Sequence, residues 1–196
     1  MLHVVFFGCR RSRERKEKWA MEGYELIPRV KAEDLQKRLD EMADEINRDY
    51  EGKSLIAIGV LKGAFMFLAD LVRRLSIPVT VDFVRLASYG DSSQTSGTIK
   101  ITKDVELPIE GRNILLVEDI VDTGLTLDWY LRRLQSYRPA SVKVCALIDK
   151  FERRQVEVPI DYAGIRMEKG FLVGFGLDFS EKHRNLPGIY EVRFHE

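Results

Sequence analysis

Apolar residues follow two different periods along this chain. Apolar side chains at close to helical spacing predict an amphipathic helix over about residues 32–50. Continuous apolar runs at 54–61, 114–117 and 141–148 are instead typical of strands buried on both faces of a parallel sheet. Alternating residues rich in β-branched side chains predict a further strand over 78–86.

Helical patterns follow two of these strands. One begins after Lys62-Gly63 and runs to about Leu75, and another begins at Leu127. Two more short strands are predicted at 162–167 and 171–176. This alternation of strands and helices predicts an α/β fold with a mostly parallel sheet flanked by helices. The C-terminal elements are expected to form a small hood over the C-terminal edge of that sheet.

A long polar stretch separates the strand over 78–86 from the rest of the chain. Residues 87–100 include Gly90 and Gly97 and carry few apolar side chains. A loop of this length inside a compact domain is usually a functional lid or disordered. The alternative interpretation is an ordinary surface hairpin.

The N-terminal residues differ in pattern from the rest of the chain. Residues 2–9 are apolar and 10–18 are densely charged, which reverses the order found in a secretory signal. We therefore predict that residues 1–22 are a disordered N-terminal extension, consistent with a start codon assigned upstream of Met21, and that one domain spans 23–196. A basic arm or a targeting segment is the alternative.

Overall composition excludes several classes of partner. The chain has 196 residues, enough for one domain with a sizeable core, and its 31 Lys and Arg balance its 31 Asp and Glu. We therefore expect neither nucleic acid nor a membrane as partner, and no apolar run approaches the roughly 20 residues that span a bilayer. The two cysteines suggest no disulfide framework, so a reducing cytoplasm is the expected location.

The chemistry is concentrated where the strand over 114–117 is expected to end. Glu118 and Asp119 come directly after it, and the segment 122–126 leads into the next helix. Ligands gather beyond the carboxyl ends of parallel strands, and a helix N-terminus favours anions. Gly124 would let the backbone approach a phosphate to which the hydroxyls of Thr123 and Thr126 can donate, while the acids suit Mg²⁺ or sugar hydroxyls. This pattern predicts a phosphorylated sugar bound with a hard metal; a capped helix with solvated acids is the alternative.

The run from Ile114 to Leu127 resembles a family signature. Its central residues, Val-Glu-Asp-Ile-Val-Asp-Thr-Gly at 117–124, are similar to the phosphoribosyl pyrophosphate (PRPP) motif of the type I phosphoribosyltransferases, and most of all to their hypoxanthine-guanine branch. The resemblance begins near Tyr24 and covers nearly all of the chain after it. It implies the type I phosphoribosyltransferase fold, with a hood built from the N-terminal part and about residues 168–196.

The resemblance also implies roles for particular residues. Binding of PRPP and its phosphates would involve Leu61, Lys62, Gly63, Glu118, Asp119, Asp122, Thr123, Gly124, Leu125, Thr126 and Arg184. The loop of Leu61 to Gly63 would bind pyrophosphate, often through a cis peptide before the lysine. Ser88 and Tyr89 match the Ser-Tyr pair of the mobile loop that closes over the reacting sugar, where closure would exclude water.

Four residues resemble the purine pocket of the 6-oxopurine enzymes: Lys150, Phe171, Leu172 and Asp178. A lysine ammonium can donate to a ring carbonyl, so Lys150 would favour a 6-oxopurine over adenine. Phe171 offers a face for stacking, and backbone carbonyls near Leu172 and Asp178 can accept from the amine of guanine. The chain departs from the family pattern at Phe151, where proline is frequent in bacterial relatives, and at His183, where an aromatic residue is common.

The expected activity is a purine salvage reaction. It would transfer the 5-phosphoribosyl group from PRPP to N9 of hypoxanthine or guanine, giving IMP or GMP and pyrophosphate. Asp122 is the candidate general base, and Glu118, Asp119 and Asp178 are the candidate ligands of Mg²⁺. Family members associate, so a homodimer or homotetramer is expected. Two alternatives are a PRPP-sensing regulator that binds nucleic acid, which only the basic run at 10–18 favours, and an enzyme for adenine or a pyrimidine.

Overall fold

A six-stranded sheet forms the centre of the molecule. The computed structural model describes residues 20–21, 23–89 and 98–195. The strand order is β5-β4-β3-β6-β7-β8, and every neighbouring pair is parallel except β4 and β5. Its strands are β3 (Leu55–Leu61), β4 (Val79–Tyr89), β5 (Thr98–Lys103), β6 (Asn113–Val121), β7 (Ser141–Lys150) and β8 (Tyr162–Met167). The predicted mostly parallel α/β architecture is confirmed.

Helices cover both faces of this sheet. They are α1 (Ala32–Asp49), α2 (Phe65–Val72) and α3 (Leu125–Ser136). Alternate residues of β6 enter different cores: Leu115 and Val117 pack in the cluster that includes α1 and α2. Ile114 and Leu116 pack in the cluster that includes α3. Burial on both faces is the reason that this strand is apolar at every position from 114 to 117.

Several elements differ in length from the prediction. β6 continues through the two acids to Val121, and β7 continues to Lys150, because the ladder between them runs to the pair Val121 and Asp149. α3 begins two residues before the predicted Leu127, whereas α2 ends at Val72 instead of about Leu75. The consequence for the site is that Lys150 is the last residue of a strand rather than part of a loop.

A smaller antiparallel sheet has the strand order β1-β2-β10-β9. These strands are β1 (Ala20–Met21), β2 (Tyr24–Val30), β9 (Leu172–Val173) and β10 (Ile189–Phe194). The sheet pairs strands from residues 20–30 with strands from residues 172–194, and together with the chain from 168 to 188 we call it the hood. It also includes two residues of the segment predicted to be disordered; residues 1–19 and 22 of that segment lie outside the described residues.

The loop predicted over 87–100 is shorter than expected. Its first residues extend β4 to Tyr89 and its last residues begin β5, so that both belong to a β-hairpin. Ser88 and Tyr89 pair through their backbones with Ile99 and Thr98. The alternation of Ile99 and Ile101 with polar neighbours is a strand signal that the lid prediction overlooked. Residues 90–97, the remainder of the predicted lid, lie outside the described residues.

The predicted strand over 171–176 is also shorter than expected. Only Leu172 and Val173 are in a strand, because Gly174 and Gly176 have φ of 101° and 104° and bend the chain into a turn. A Cβ atom on Gly176 would lie 2.1 Å from the carbonyl oxygen of Gly63. This turn therefore brings the hood against the loop after β3.

Titration of His183 makes the stability of the fold depend on pH. Its Nε2 lies 2.8 Å from the Tyr24 hydroxyl, and burial, followed by the charge of Lys182, lowers the pKa of His183 from its usual value of 6.5. In the unfolded chain His183 becomes protonated as the pH falls through about 6.5, whereas in the folded chain it becomes protonated only at lower pH. The contribution of neutral His183 to the free energy of unfolding is therefore present above pH 6.5 and is lost as the pH falls below it.

We predict that His183→Asn makes the stability less sensitive to acid. Asparagine does not titrate and tolerates the φ of 73° at this position. Denaturant melts at pH 5.5 and 7.5 should show a smaller difference for the variant than for the wild-type protein. Equal differences in the two proteins would show that His183 contributes nothing to the pH dependence.

Candidate active site

A cleft of ≈ 430 Å³ opens at the carboxyl ends of β3 and β6. The predicted residues that line it are Leu61, Lys62, Gly63, Glu118, Asp119, Asp122, Thr123, Gly124, Thr126, Asp178 and Arg184. Arg85, in the C-terminal half of β4, and Glu181 line it as well, and neither was predicted from the sequence. Residues from four separate stretches of the chain, 60–63, 85–87, 118–127 and 178–184, thus meet at one edge of the sheet.

The two adjacent acids lie in an unusual electrostatic environment. Burial and the neighbouring Asp119 carboxylate raise the pKa of Glu118 well above its ordinary range. Burial likewise raises the pKa of Asp119 to about 6, although backbone hydrogen bonds and Arg184 oppose that effect. Among the described residues, the buried Glu118 Oε2 has no hydrogen-bond partner. Burying such carboxylates is costly, and a ligand that supplies a cation or hydroxyl donors reduces that cost.

The loop after β3 packs tightly against these acids. A Cβ atom on Gly63 would lie 1.5 Å from Asp119 Oδ2, a distance that no side chain can occupy. The Leu61–Lys62 peptide is cis, which is the geometry that the resemblance implied. Gly63 therefore places its backbone directly beside the carboxylate.

The segment after β6 forms a helix N-terminus at the cleft. Gly124 is the N-cap of α3 with φ 82°, and a Cβ atom there would lie 2.3 Å from the carbonyl oxygen of Val156. Only glycine fits this position, for both reasons. Thr123 and Thr126 line the cleft beside the first turn of α3, where the Leu125 amide donates to Thr123 Oγ1 at 3.4 Å. A helix N-terminus at this place favours an anion.

Asp122 and Lys150 are direct neighbours across the ends of β6 and β7. Lys150 Nζ lies 3.1 Å from Asp122 Oδ2, and the exposed Arg153 approaches the same oxygen at 3.7 Å. Lys150 is buried, and its ammonium also donates to the Gly170 carbonyl at 3.5 Å. Among the described residues, the buried Asp122 Oδ1 has no hydrogen-bond partner.

The hood supplies an aromatic ring near this pair. Phe171 follows Gly170, and 48% of its surface is exposed. Its centroid lies 5.4 Å from that of Phe179 in an edge-to-face contact, which orients the ring and leaves part of it free. Leu172 is buried in β9 directly after it.

The cations of the cleft are held by acids of the hood. Arg184 donates to the Gly176 carbonyl at 2.7 Å and pairs with Asp178 Oδ1 at 2.7 Å. Glu181 pairs with Lys62 at 2.9 Å and with Arg184 at 3.2 Å. Hydrogen bonds from Lys62 and then Arg184 lower the pKa of Glu181. No sequence signal indicated Glu181, since its position depends on a turn in which it has φ 63°.

We predict that Glu181→Gln strengthens the binding of pyrophosphate-containing ligands. The substitution frees Lys62 and Arg184 from a carboxylate that any anion must displace. Because Glu181 is exposed, the affinity for pyrophosphate should rise only about two- to fivefold. Titration calorimetry at low salt measures this affinity. An unchanged or weaker affinity would show that Glu181 does not compete with the anion for Lys62 and Arg184. Glu168→Gln, outside the cleft, is the control.

Within the described parts of the chain, no group of three or more His, Cys, Asp or Glu side chains is placed to hold a metal by itself. Nor is any helix there long and apolar enough to cross a membrane. Mg²⁺ is commonly held by one or two carboxylates together with substrate phosphates. Glu118, Asp119 and Asp178 all line the cleft and fit that mode of binding.

Comparisons with known proteins all point to the same family. Residues 30–180 match the model of the phosphoribosyl transferase domain. The chain is 46% identical over 164 residues, 83% of its length and 92% of the relative's, to a hypoxanthine-guanine phosphoribosyltransferase of Aquifex aeolicus. A hypoxanthine-guanine phosphoribosyltransferase of Bacillus subtilis is 43% identical over 82% of this chain and 89% of its own length.

Solved structures give the same result. A hypoxanthine-guanine phosphoribosyltransferase of Bacillus anthracis superposes with a TM-score of 0.80 at 42% identity, over 85% of this chain and 97% of the other. A hypoxanthine phosphoribosyl transferase of Trypanosoma cruzi gives 0.82 at 36% identity, over 93% and 95% of the two chains. The expected type I phosphoribosyltransferase fold is thereby confirmed.

Proposed function

The chain belongs to the phosphoribosyl transferase family, and we propose that it transfers the 5-phosphoribosyl group of PRPP to N9 of hypoxanthine or guanine. The products are IMP or GMP and pyrophosphate, as in purine salvage. The observation that supports this choice of base is the 3.1 Å contact between Lys150 and Asp122 at the edge of the cleft. In this proposal Lys150 is the donor for a ring carbonyl, and Asp122 beside it is the acceptor for a ring N–H.

PRPP binds along the cleft in this proposal. Its 5-phosphate lies on the amides and hydroxyls of residues 123–126, where the N-terminus of α3 favours negative charge. Its pyrophosphate lies between the loop of Leu61 to Gly63 and Arg184, so that Lys62 and Arg184 exchange Glu181 for phosphate oxygens. The ribose hydroxyls face Glu118 and Asp119, and one of them supplies the partner that Glu118 Oε2 lacks among the described residues.

Mg²⁺ is the proposed cofactor. Bound with PRPP, it would neutralise charge on the leaving pyrophosphate. Glu118 and Asp119 would hold it together with the ribose hydroxyls, and Asp178 would hold a second ion beside the pyrophosphate. The raised pKa values of Glu118 and Asp119 support this assignment, since a cation relieves the cost of burying two neighbouring negative charges.

The purine lies between β7 and the hood. Lys150 donates to O6 of the base, Phe171 stacks on its plane, and carbonyls near Leu172 and Asp178 accept from the amine of guanine. Adenine is disfavoured because its 6-amino group is itself a donor and would face the ammonium of Lys150. Burial of Lys150 strengthens this discrimination, since little water is available to compensate for a missing acceptor.

Asp122 is the proposed general base. Its Oδ2 is paired with Lys150, whereas its Oδ1 has no hydrogen-bond partner among the described residues, so Oδ1 would accept the proton that the ring loses as N9 attacks C1 of the ribose. The proton moves to Asp122 while the bond between C1 and the pyrophosphate oxygen breaks. Closure of the hairpin that carries Ser88 and Tyr89 would exclude water from this step.

The cellular setting is proposed from the same family membership. The buried, free thiol of Cys145 supports a reducing compartment, and we propose the cytoplasm. Self-association as a homodimer or homotetramer is proposed from family membership. Light scattering after size-exclusion chromatography would measure it.

Pyrophosphate release tests the proposed function. Purified protein is mixed with PRPP and MgCl₂ and offered hypoxanthine, guanine, xanthine or adenine separately. Turnover with hypoxanthine or guanine but not adenine is the expected result, and excess EDTA should abolish it. No pyrophosphate release with any of the four bases, in protein that still binds PRPP, would contradict the enzyme assignment and favour a PRPP-sensing regulator. Turnover with adenine alone would contradict the role of Lys150.

A further inference from the structure

Arg154 is a buried arginine close to the cleft that no sequence pattern indicated. It lies between β7 and β8, and its side chain is only 10% exposed. Its guanidinium pairs with the equally buried Asp149 at 2.7 Å. One carboxylate neutralises the charge, but a guanidinium has five N–H donors, and burial requires acceptors for the others.

Those acceptors are backbone carbonyls at the ends of two strands. Arg154 Nε donates to the carbonyl of Asp122 at 2.9 Å, and Nη2 donates to the carbonyl of Lys150 at 3.0 Å. Nη2 also lies 3.0 Å from the carbonyl oxygen of Val121. The ladder between β6 and β7 ends at the pair Val121 and Asp149. Arg154 therefore connects the two strands at the position where their own hydrogen bonds stop.

The residues after Arg154 continue this clamp. The amides of Gln155 and Val156 donate to the carbonyl of Thr123 at 2.9 and 3.1 Å. The consecutive carbonyls of 121–123 thus accept hydrogen bonds from the segment 154–156. The backbone that carries Asp122 and leads into the phosphate-binding turn is held by this one short segment.

We propose that Arg154 is a positioning residue that sets the distance between Asp122 and Lys150. The inference rests on the proposed function and extends it to how the base is selected. Asp122 and Lys150 must meet different atoms of one rigid, planar ring, so their spacing decides which purine fits and how well its N–H is aligned. The same guanidinium holds the main chain of both residues, so it fixes that spacing.

Arg166 provides a matched control. It pairs with the other oxygen of Asp149 at 3.2 Å, but its side chain is 75% exposed and its guanidinium has no hydrogen bond to the carbonyls of 121, 122 or 150 among the described residues. If Arg154 acted only by neutralising Asp149, lysine at either position would have the same effect. The two arginines differ in that the planar guanidinium of Arg154 also donates to backbone carbonyls, an arrangement that a lysine ammonium cannot reproduce.

The test compares Arg154→Lys and Arg154→Met with Arg166→Lys and Arg166→Met in steady-state kinetics. We expect Arg154→Lys to lower kcat at least about tenfold and to raise KM for hypoxanthine, with KM for PRPP within about twofold of the wild-type value. Arg166→Lys should match the wild-type protein in all three constants. If Arg154→Met does not fold, the lysine variant, which keeps the charge beside Asp149, decides the question.

Two results would overturn the inference. One is equal kinetics for the lysine variants at 154 and 166; the other is a parallel rise in KM for PRPP and hypoxanthine with a lowered melting temperature, which indicates general disorder of the site. Absence of turnover by the wild-type protein with every base would instead overturn the proposed function. Failure of this inference and failure of the proposed function are therefore distinguishable.

Discussion

Replacing Asp122 by asparagine should lower kcat by about 10²–10⁴-fold while leaving KM for PRPP within about threefold. Asparagine keeps the size of the side chain and can still face Lys150, but it cannot accept the proton that the purine loses. In the proposed site PRPP meets the backbone amides of 123–126 and the acids 118–119, neither of which the substitution removes. The effect therefore belongs to the chemical step rather than to binding of the sugar.

Asp128→Asn is the control for this variant. Asp128 lies in the first turn of the same helix and pairs with Arg132 at 3.0 Å on the surface. It changes the same charge near the same helix N-terminus, so any electrostatic effect on the phosphate site should appear in both variants. An unchanged kcat in Asp122→Asn, or an equal loss in Asp128→Asn, would show that Asp122 is only a structural cap.

Replacing Gly63 by alanine should lower kcat/KM for PRPP by about 100-fold or more. The added Cβ would lie 1.5 Å from Asp119 Oδ2 and 2.3 Å from its Cγ, so the loop or the carboxylate must move by more than an ångström. A displacement of about 1 Å in a reacting complex can cost about 10²-fold in rate. Both the pyrophosphate loop and the ribose-binding acid are affected, so KM for PRPP should rise together with the loss of kcat.

Gly111→Ala separates this effect from a general loss of stability. Gly111 has φ 67°, but a Cβ atom there would meet nothing within 4 Å. Alanine at 111 should therefore destabilise the fold by about 1–2 kcal/mol through backbone strain and leave the kinetics unchanged. Gly63 does not have a positive φ, so its variant should instead lose activity far beyond what its loss of stability explains. Normal kinetics in Gly63→Ala would mean that Asp119 does not act where we place it.

The central site could be predicted because it is local in the sequence. Glu118, Asp119 and the segment 122–126 lie within one strand, one turn and the start of one helix, and the strand is apolar at 114–117 because both its faces are buried. Local rules for strands, glycine turns and helix N-termini therefore suffice to bring these groups together. The resemblance to a known family added the base and the partner loops.

The hood could not be predicted in the same way. Its strands β2 and β10 pair Tyr24 with Phe194, from opposite ends of the chain, so no local pattern records the contact. Pro28 lies inside β2 and has no N–H to donate, which argues against a strand until the irregularity near Tyr190 in its partner is known. Val30, the last residue of β2, also fits the spacing of the apolar residues in α1. Its apolar side chain therefore does not distinguish a strand from a helix.

Glu181 and Arg154 were missed for a related reason. Glu181 meets Lys62 across 119 positions of sequence, in a turn with left-handed backbone. Arg154 resembles an ordinary loop arginine beside Arg153, and only its burial and its carbonyl partners distinguish it. Charged residues whose importance depends on distant backbone groups leave no periodic signal in the sequence.

The structure of the protein with IMP bound tests the central claim most directly. We predict that O6 of the base lies about 3 Å from Lys150 Nζ, that Asp122 faces the imidazole side of the ring, and that the 5-phosphate accepts from the amides of residues 123–126. Lys150 should then have exchanged part of its contact with Asp122 for the base. A nucleotide whose phosphate lies away from the N-terminus of α3, or whose base does not reach Lys150, would contradict both the site and the choice of substrate.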